Sequence, residues 1–316
     1  MILLVGCGPM AVEYAKVLTA QGRDFIVVGR GIDSAEEFAK KTGKKVITGG
    51  LNALISKGRL ENIKASIVAV SVEELGKTSL ELLQMGVSRI LIEKPGVLYA
   101  HEIESLKKQI QQTTAEVFIA YNRRFFSSVI QAKKIISDDG GVNSFFFDFT
   151  EWAFEIEKLK KAPGVKEKWL IANSSHVIDL AFHIGGRPKE FNAIHAGSIN
   201  WHPTSAVFVG SGLTLNSVPF SYHANWNSPG RWGLEFNTSK HKIILRPMEK
   251  LHVMRRGSIE IDEISVDSTD YNLDMQYKPG LFKQVEVFLQ ENCNSLCSLN
   301  EMIINLEYFN KIAGYK

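Results

Sequence analysis

Cysteine is scarce. Cys7, Cys293 and Cys297 are the only three in 316 residues, and an odd, scattered set cannot make a disulfide framework. The Cys293/Cys297 spacing is not that of a zinc knuckle, so three reduced thiols in a cytoplasmic protein are expected. Charge of one sign is also lacking: 37 Lys and Arg against 34 Asp and Glu leave +3. That is too little for the concentrated basic face of a nucleic-acid binder. No segment reaches the ~20 apolar residues of a membrane span. Leu4-Val5-Gly6-Cys7 faintly resembles a lipoprotein cleavage site. However, no basic stretch precedes it, and Ile2 to Val5 is shorter than the roughly 7–15 apolar residues a signal segment needs. Neither nucleic acid nor membrane is therefore expected as a partner, and no metal site is expected. What is present is ordinary globular composition, 45% hydrophobic and 22% charged. At roughly 150 residues per domain the length suggests two domains.

The first 121 residues alternate short apolar runs with helical patterns. Ile2–Val5, Phe25–Val28, a weaker run at Lys45–Thr48, Ser66–Val70, Arg89–Ile92 and Val117–Ala120 read as six strands. Helical stretches between them include Leu75–Met85 and Glu102–Gln112, and Asp33 or Ser34 is expected to cap the helix after the second strand. Continuous apolar strands alternating with helices predict a doubly wound parallel sheet covered on both faces. Beyond Asn122 the pattern changes to a helix at Ser128–Ile136 and then strand-like segments with hairpin spacing. These are Phe145–Phe149, Phe191–His195, Ala206–Val209, Leu213–Val218, Ser221–Trp226, Arg231–Phe236, His241–Leu245 and Ser258–Ile261. Two closing helices are expected near Leu281–Gln290 and Leu299–Ile312. The fold class is thus α/β: a dinucleotide-binding domain over 1–121, then an α/β domain with a largely antiparallel sheet over 122–316. Glu155–Lys168, with mixed charge and Pro163-Gly164, reads as an exposed loop able to cover a site.

Gly6-x-Gly8-x-x-Ala11 lies between the first strand and first helix. There a tight turn, close backbone approach and a helix N-terminus together suit a pyrophosphate. Pro9 and Met10 belong to the same loop, and Cys7 reads as a small filler. A carboxylate at the end of the second strand would hold the ribose of NAD. This sequence has Gly29-Arg30 there instead. The glycine makes room for a 2′-phosphate and the guanidinium can grip it. NADP is therefore favoured, with NAD as the alternative and with adenine stacking or plain solvation as other fates for Arg30.

Glu93-Lys94-Pro95 at the end of the fifth strand, the glycine loop, and His176-Val177-Ile178-Asp179 stand in this order along the chain. With Tyr121-Asn122-Arg123-Arg124-Phe125 and Pro279–Phe288, they resemble the Gfo/Idh/MocA family of glucose–fructose oxidoreductases and inositol dehydrogenases. The resemblance implies a nicotinamide-dependent oxidoreductase acting on CH–OH groups of a carbohydrate-like small molecule (a sugar, polyol or nucleotide-sugar). It also implies an open second sheet through which copies form a homo-oligomer. It puts Lys94 beside nicotinamide and substrate, makes His176 the acid/base, and gives Asp179 the task of orienting that ring or touching the substrate. Pro95 is expected to hold a strained or cis peptide. Glu93 and Ser71 are expected to line the cofactor, and Asn122, Arg123, Trp152, Trp169 and Asn173 the substrate.

Alternatives stay open at several of these positions. Arg123 and Arg124 can bind an anionic group of the substrate or pair with acidic neighbours. His176, Asp179 and His183 fall near one helix face, but two histidines two turns apart, roughly 10 Å along the axis, chelate one ion poorly. The sequence also departs from the family. Ala172 stands where an aspartate is usual, and Ser71-Val72-Glu73-Glu74 replaces the usual turn with proline and histidine. These departures leave two other functions in view: a non-catalytic dinucleotide-binding regulator, and an enone or imine reductase on the same scaffold.

Overall fold

The computed structural model describes residues 1–56, 63–265 and 268–315. Among them two compact units separate, Met1–Tyr121 with Leu281–Ile303, and Asn122–Gly280 with Ile304–Lys316. No described helix is long and apolar enough to cross a membrane.

The first unit begins with β1 (Ile2–Val5), α1 (Pro9–Ala20), β2 (Phe25–Val28), α2 (Ile32–Thr42), β3 (Val46–Ile47), α3 (Gly50–Ser56) and β4 (Ala65–Val68). It continues through α4 (Leu75–Gln84), β5 (Arg89–Glu93), α5 (Ala100–Gln111) and β6 (Glu116–Ala120). These six strands run parallel in the order β6-β5-β4-β1-β2-β3. The order reverses between β1 and β4, and ligands bind beyond the strand ends at such a switch point. All four residues of β1 are buried, as strands covered on both faces must be. Helix α1 buries Val12, Ala15, Val17 and Leu18 as its spacing predicts, and Tyr14 as well. The expected cap of α2 is corrected: Gly31 is the N-cap, and Asp33 lies in the first turn, where a carboxylate suits the helix dipole.

The second unit holds α6 (Ser127–Asp138), β7 (Ser144–Asp148), α7 (Ala153–Lys158), α8 (Ser175–Gly185), β8 (Pro188–Ala196), β9 (Val207–Thr214) and β10 (Pro219–Asn225). It goes on to β11 (Gly233–Asn237), β12 (His241–Leu245), β13 (His252–Arg255), β14 (Ile261–Glu263) and α9 (Ser268–Gln276). The eight strands lie in the order β14-β13-β12-β11-β7-β10-β9-β8, antiparallel throughout except for β7 beside β10. Their inner face packs rings on one another: Phe145 stacks on Phe220 and Phe236 and meets the edge of Phe182 from α8. Two expected strands, Ala206–Val209 and Leu213–Val218, are one strand and a turn. β9 runs to Thr214, and Ser217 at φ 61° sits in the tight reversal to β10. Part of the expected loop at Glu155–Lys168 is the helix α7.

The chain then gives α10 (Leu281–Phe288), β15 (Cys297–Ser298) and α11 (Leu299–Ala313). The sequence suggested a second domain unbroken from 122 to 316. Instead Leu281–Ile303 joins the first unit, for a physical reason. Leu281, Val285 and Phe288 of α10 are fully buried, with Phe288 edge-on to Phe118 of β6 at 6.4 Å. The Gln21 side chain at the end of α1 donates to the Phe282 carbonyl at 2.9 Å. β15 pairs antiparallel with β6, covering what would otherwise be an open sheet edge.

Candidate functional site

In the first unit the glycine loop closes the end of β1. The Gly6 amide donates to the Val28 carbonyl at 2.8 Å, and its φ of +119° is one that L side chains avoid. A Cβ on Gly6 would also fall on the Ala69 carbonyl, so the tight turn excludes any other residue. Gly8 is the N-cap of α1, with Pro9 at the first helical position. A Cβ on Gly8 would meet nothing within 4 Å. Among the described residues no side chain caps the helix, and its first turn holds no carboxylate. An open approach to unclaimed first-turn N–H groups at Met10 and Ala11 fits a diphosphate.

Gly29 proves to be required by a neighbour. A Cβ there would stand 2.5 Å from Cys7 Sγ, so the thiol occupies the space that the sequence seemed to leave for a phosphate. Burial pushes the Cys7 thiol up, which keeps it neutral and suits its role as filler. Arg30 is 68% exposed at its side chain and pairs with Glu74 at 3.1 Å. Glu74 ends the 3-10 turn Val72–Glu74 that Ser71 precedes, so the unusual turn after β4 supplies the partner for the arginine after β2. Ser71 itself is exposed.

At the end of β5 the Glu93 carboxylate, expected to line the cofactor, accepts a 2.6 Å hydrogen bond from the buried Tyr14 hydroxyl. Lys94 follows, half-buried, and its peptide bond to Pro95 is cis.

In the second unit a π-helical turn, Leu170–Ser174, runs directly into α8. Such turns often mark functional positions. It carries Asn173 and leads to His176, which is 5% exposed and whose ring centre lies 6.3 Å from that of Trp232. Asp179 lies one turn on. Arg124 clasps it from two nitrogens, Nε to Oδ2 at 2.8 Å and Nη2 to Oδ1 at 2.5 Å, and Asn305 adds a contact at 3.4 Å. Both charged side chains are almost wholly buried. This pairing answers the question left open for the two arginines: Arg124 takes an acidic neighbour. Arg123 lies over the rings of Trp232 at 4.9 Å and Phe126 at 5.8 Å. Asn122 donates from its amide to the Pro279 carbonyl at 2.9 Å. His183 meets Lys133 at 3.1 Å. Burial first, then Arg124 and Lys133, pushes its pKa down to about 2, so the imidazole is neutral and accepts from the ammonium.

Two residues of this region escaped the sequence reading. Glu151 is 2% exposed, and its Oε1 accepts from Asn173 Nδ2 at 2.9 Å and Ser174 Oγ at 2.8 Å. Arg231 approaches its other oxygen at 3.6 Å. Arg231 also lies against two indoles, Trp152 at 5.0 Å and Trp232 at 4.8 Å. The adjacency of Glu151 to Trp152 and the pair Arg231-Trp232 between two strands were the available signals. Arg231 was instead read as the start of a strand that in fact begins at Gly233. Trp152 is 47% exposed and donates from Nε1 to the Gly230 carbonyl at 2.9 Å. Trp169, expected at the substrate, is 7% exposed and edge-on to Trp201 at 6.2 Å; it belongs to the aromatic core.

No family model matches the chain. A segment of 107 residues is 26% identical to scyllo-inositol 2-dehydrogenase (NADP(+)) IolW of Bacillus subtilis (strain 168), covering 33% of this chain and 30% of that protein. The match therefore spans less than a third of the curated relative. The fold is similar to that of a candidate NADPH-dependent oxidoreductase from Desulfitobacterium hafniense DCB-2, with TM-score 0.79 and 16% identity over 99% of this chain and 94% of that one. It is equally similar to levoglucosan dehydrogenase in complex with NADH and L-sorbose, with TM-score 0.78 and 16% identity over 99% and 95% of the two chains. These structural likenesses, both at 16% identity, show a shared fold.

Proposed function

We propose that this chain is an NADP-dependent oxidoreductase. It passes a hydride between nicotinamide and the CH–OH carbon, or the corresponding ketone, of a carbohydrate-like small molecule. The observation that carries the reading is the loop from Gly6 to Met10: a forced turn, an open Gly8 and uncapped first-turn N–H groups at the switch point of a parallel sheet. NADP rather than NAD is supported by Arg30, exposed at the end of the second strand where a ribose-binding carboxylate would otherwise stand. In this reading Arg30 exchanges Glu74 for the 2′-phosphate.

The coenzyme, when bound, supplies or accepts the hydride. The chain's own residues do the rest. Lys94 donates from its ammonium to the substrate oxygen and stabilises the charge that develops there. The His176 imidazole takes the hydroxyl proton in oxidation and returns it in reduction. No carboxylate stands at position 172, but Glu151 brings a buried one to Asn173 and Ser174 and fixes the turn that leads into His176. Self-association through the second sheet belongs to the same reading. Ile194 of β8 and Val209 of β9 are cross-strand partners, 65% and 39% exposed.

Nicotinamide absorbance, followed with NADPH or NADP and a panel of sugars, polyols and their ketones, tests the function. Turnover that is lost in K94M and H176N supports it. A protein that binds NADPH but turns over nothing in the panel would be the regulator instead. Reduction of conjugated imines or enones that survives H176N would favour the other reductase class.

A further inference from the structure

We propose that Arg231, together with Arg123, forms a subsite for an oxyanion carried by the substrate, so that the preferred substrates are anionic sugar derivatives with a carboxylate or phosphate. The word substrate rests on the oxidoreductase reading above. The subsite itself is built wholly within the second unit.

The Arg231 guanidinium has indoles against it, from Trp152 at 5.0 Å and Trp232 at 4.8 Å. Contact of this kind restricts the planar group, whose N–H fork matches carboxylate and phosphate. One nitrogen, Nη1, is turned toward Glu151 at 3.6 Å, beyond direct hydrogen-bond length. Glu151 also serves Asn173 and Ser174 through its other oxygen. Even so, the Arg231 side chain remains 51% exposed. Its loop is anchored beside it by the hydrogen bond from Trp152 Nε1 to the Gly230 carbonyl. An arginine held this firmly yet left half open is preorganised rather than merely solvated.

Trp232 carries a second guanidinium, that of Arg123 at 4.9 Å. An oxyanion beside this ring therefore meets the field of two guanidinium groups. The same indole lies 6.3 Å from the His176 ring, centre to centre. An anion at Arg231 would therefore leave the remainder of a sugar-sized molecule near the imidazole. The half-exposed face of Trp152 offers it an apolar surface to stack on.

Calorimetric titration of the whole protein with glucuronate, glucose phosphate, glucose and inorganic phosphate tests this. The expected result is that both anionic sugars bind about tenfold or more tightly than glucose, the scale of one charge-assisted hydrogen bond. R231M should abolish that preference by weakening the anionic sugars far more than glucose, and R231K should keep only part of it. Should R231M fail to fold, the wild-type preference and R231K decide the matter. Equal affinity for the three sugars in the wild type, or an R231M that weakens glucose as much as glucuronate, would overturn the proposal. Inorganic phosphate binding as tightly as glucose phosphate would overturn the assignment of the oxyanion to a substrate. A parallel NADPH titration keeps the two claims apart. Coenzyme binding without anion preference sinks the subsite alone, whereas anion preference without coenzyme binding sinks the oxidoreductase reading and leaves the subsite standing.

Discussion

Tyr14 donates its hydroxyl hydrogen to Glu93 across 2.6 Å, tying the helix that follows the glycine loop to the residue before Lys94. Burial, reinforced by the charge of Glu93, pushes the phenol well above its ordinary range, so the proton stays on Tyr14. The bond joins the helix after the coenzyme loop to the strand end that carries the proposed catalytic lysine. Y14F is expected to lower the unfolding free energy by about 1.5–3 kcal/mol, the range for a hydrogen bond to a charged group, and to weaken coenzyme binding. Urea unfolding and NADPH titration of the variant would check both, and an unchanged pair of values would contradict this role.

Asp179 is predicted to be a structural partner of Arg124 rather than an acid or base. Removing one member of a buried pair strands the other charge, so D179A should cost about 3–5 kcal/mol. The double replacement R124M/D179L removes both members of the pair and should be closer to wild type than D179A. Denaturant unfolding of the three proteins measures this. A D179A protein of wild-type stability with lost turnover would restore the catalytic role.

Acid lability should trace in part to His183. Its folded pKa of about 2 lies below the ordinary value of 6.5, so below about pH 6.5 the unfolded chain binds a proton that the folded chain refuses. Stability is therefore fully present above that value and falls as pH drops through the window toward 2. H183Q should flatten the slope of unfolding free energy between pH 7.5 and 5.5. A slope identical to wild type would show that His183 takes no part.

Cys7 and Gly29 should behave as one packing unit. G29A drives a methyl against the Cys7 sulfur, 2.5 Å away before any relaxation, and overpacking of this kind costs typically about 1–3 kcal/mol. C7A removes that sulfur, so C7A/G29A should recover part of the loss. The gain stays partial because Val46 also stands 3.2 Å from the new methyl. Additive losses in the double variant would mean the two positions do not meet.

The strands of the first unit were legible because burial on both faces leaves continuous apolar runs, as in Ile2–Val5 and Arg89–Ile92. β13 was not: His252–Arg255 is short, with Val253 its one buried residue, and it is held by its neighbours in the sheet. β9 was cut in two because Gly210, Ser211 and Gly212 read as a break, although their backbones pair in register with β8 and β10. At the site, motif spacing picked out Gly6, Gly8, Lys94 and His176. It could not pick out partners. The bond between Arg124 and Asp179 joins residues 55 apart in the chain, and the contacts of Arg231 with Glu151, Trp152 and Trp232 depend on which loops the second sheet brings together. Composition carries no record of either.

The central claim is that the loop from Gly6 to Met10 grips the diphosphate of a nicotinamide coenzyme, with Arg30 choosing its ribose. Fluorescence titration of the wild type and R30A with NADPH and NADH tests it most directly. Saturable binding of both coenzymes, tighter for NADPH and with that advantage lost in R30A, is the predicted result. No binding of either coenzyme at millimolar concentration would contradict it.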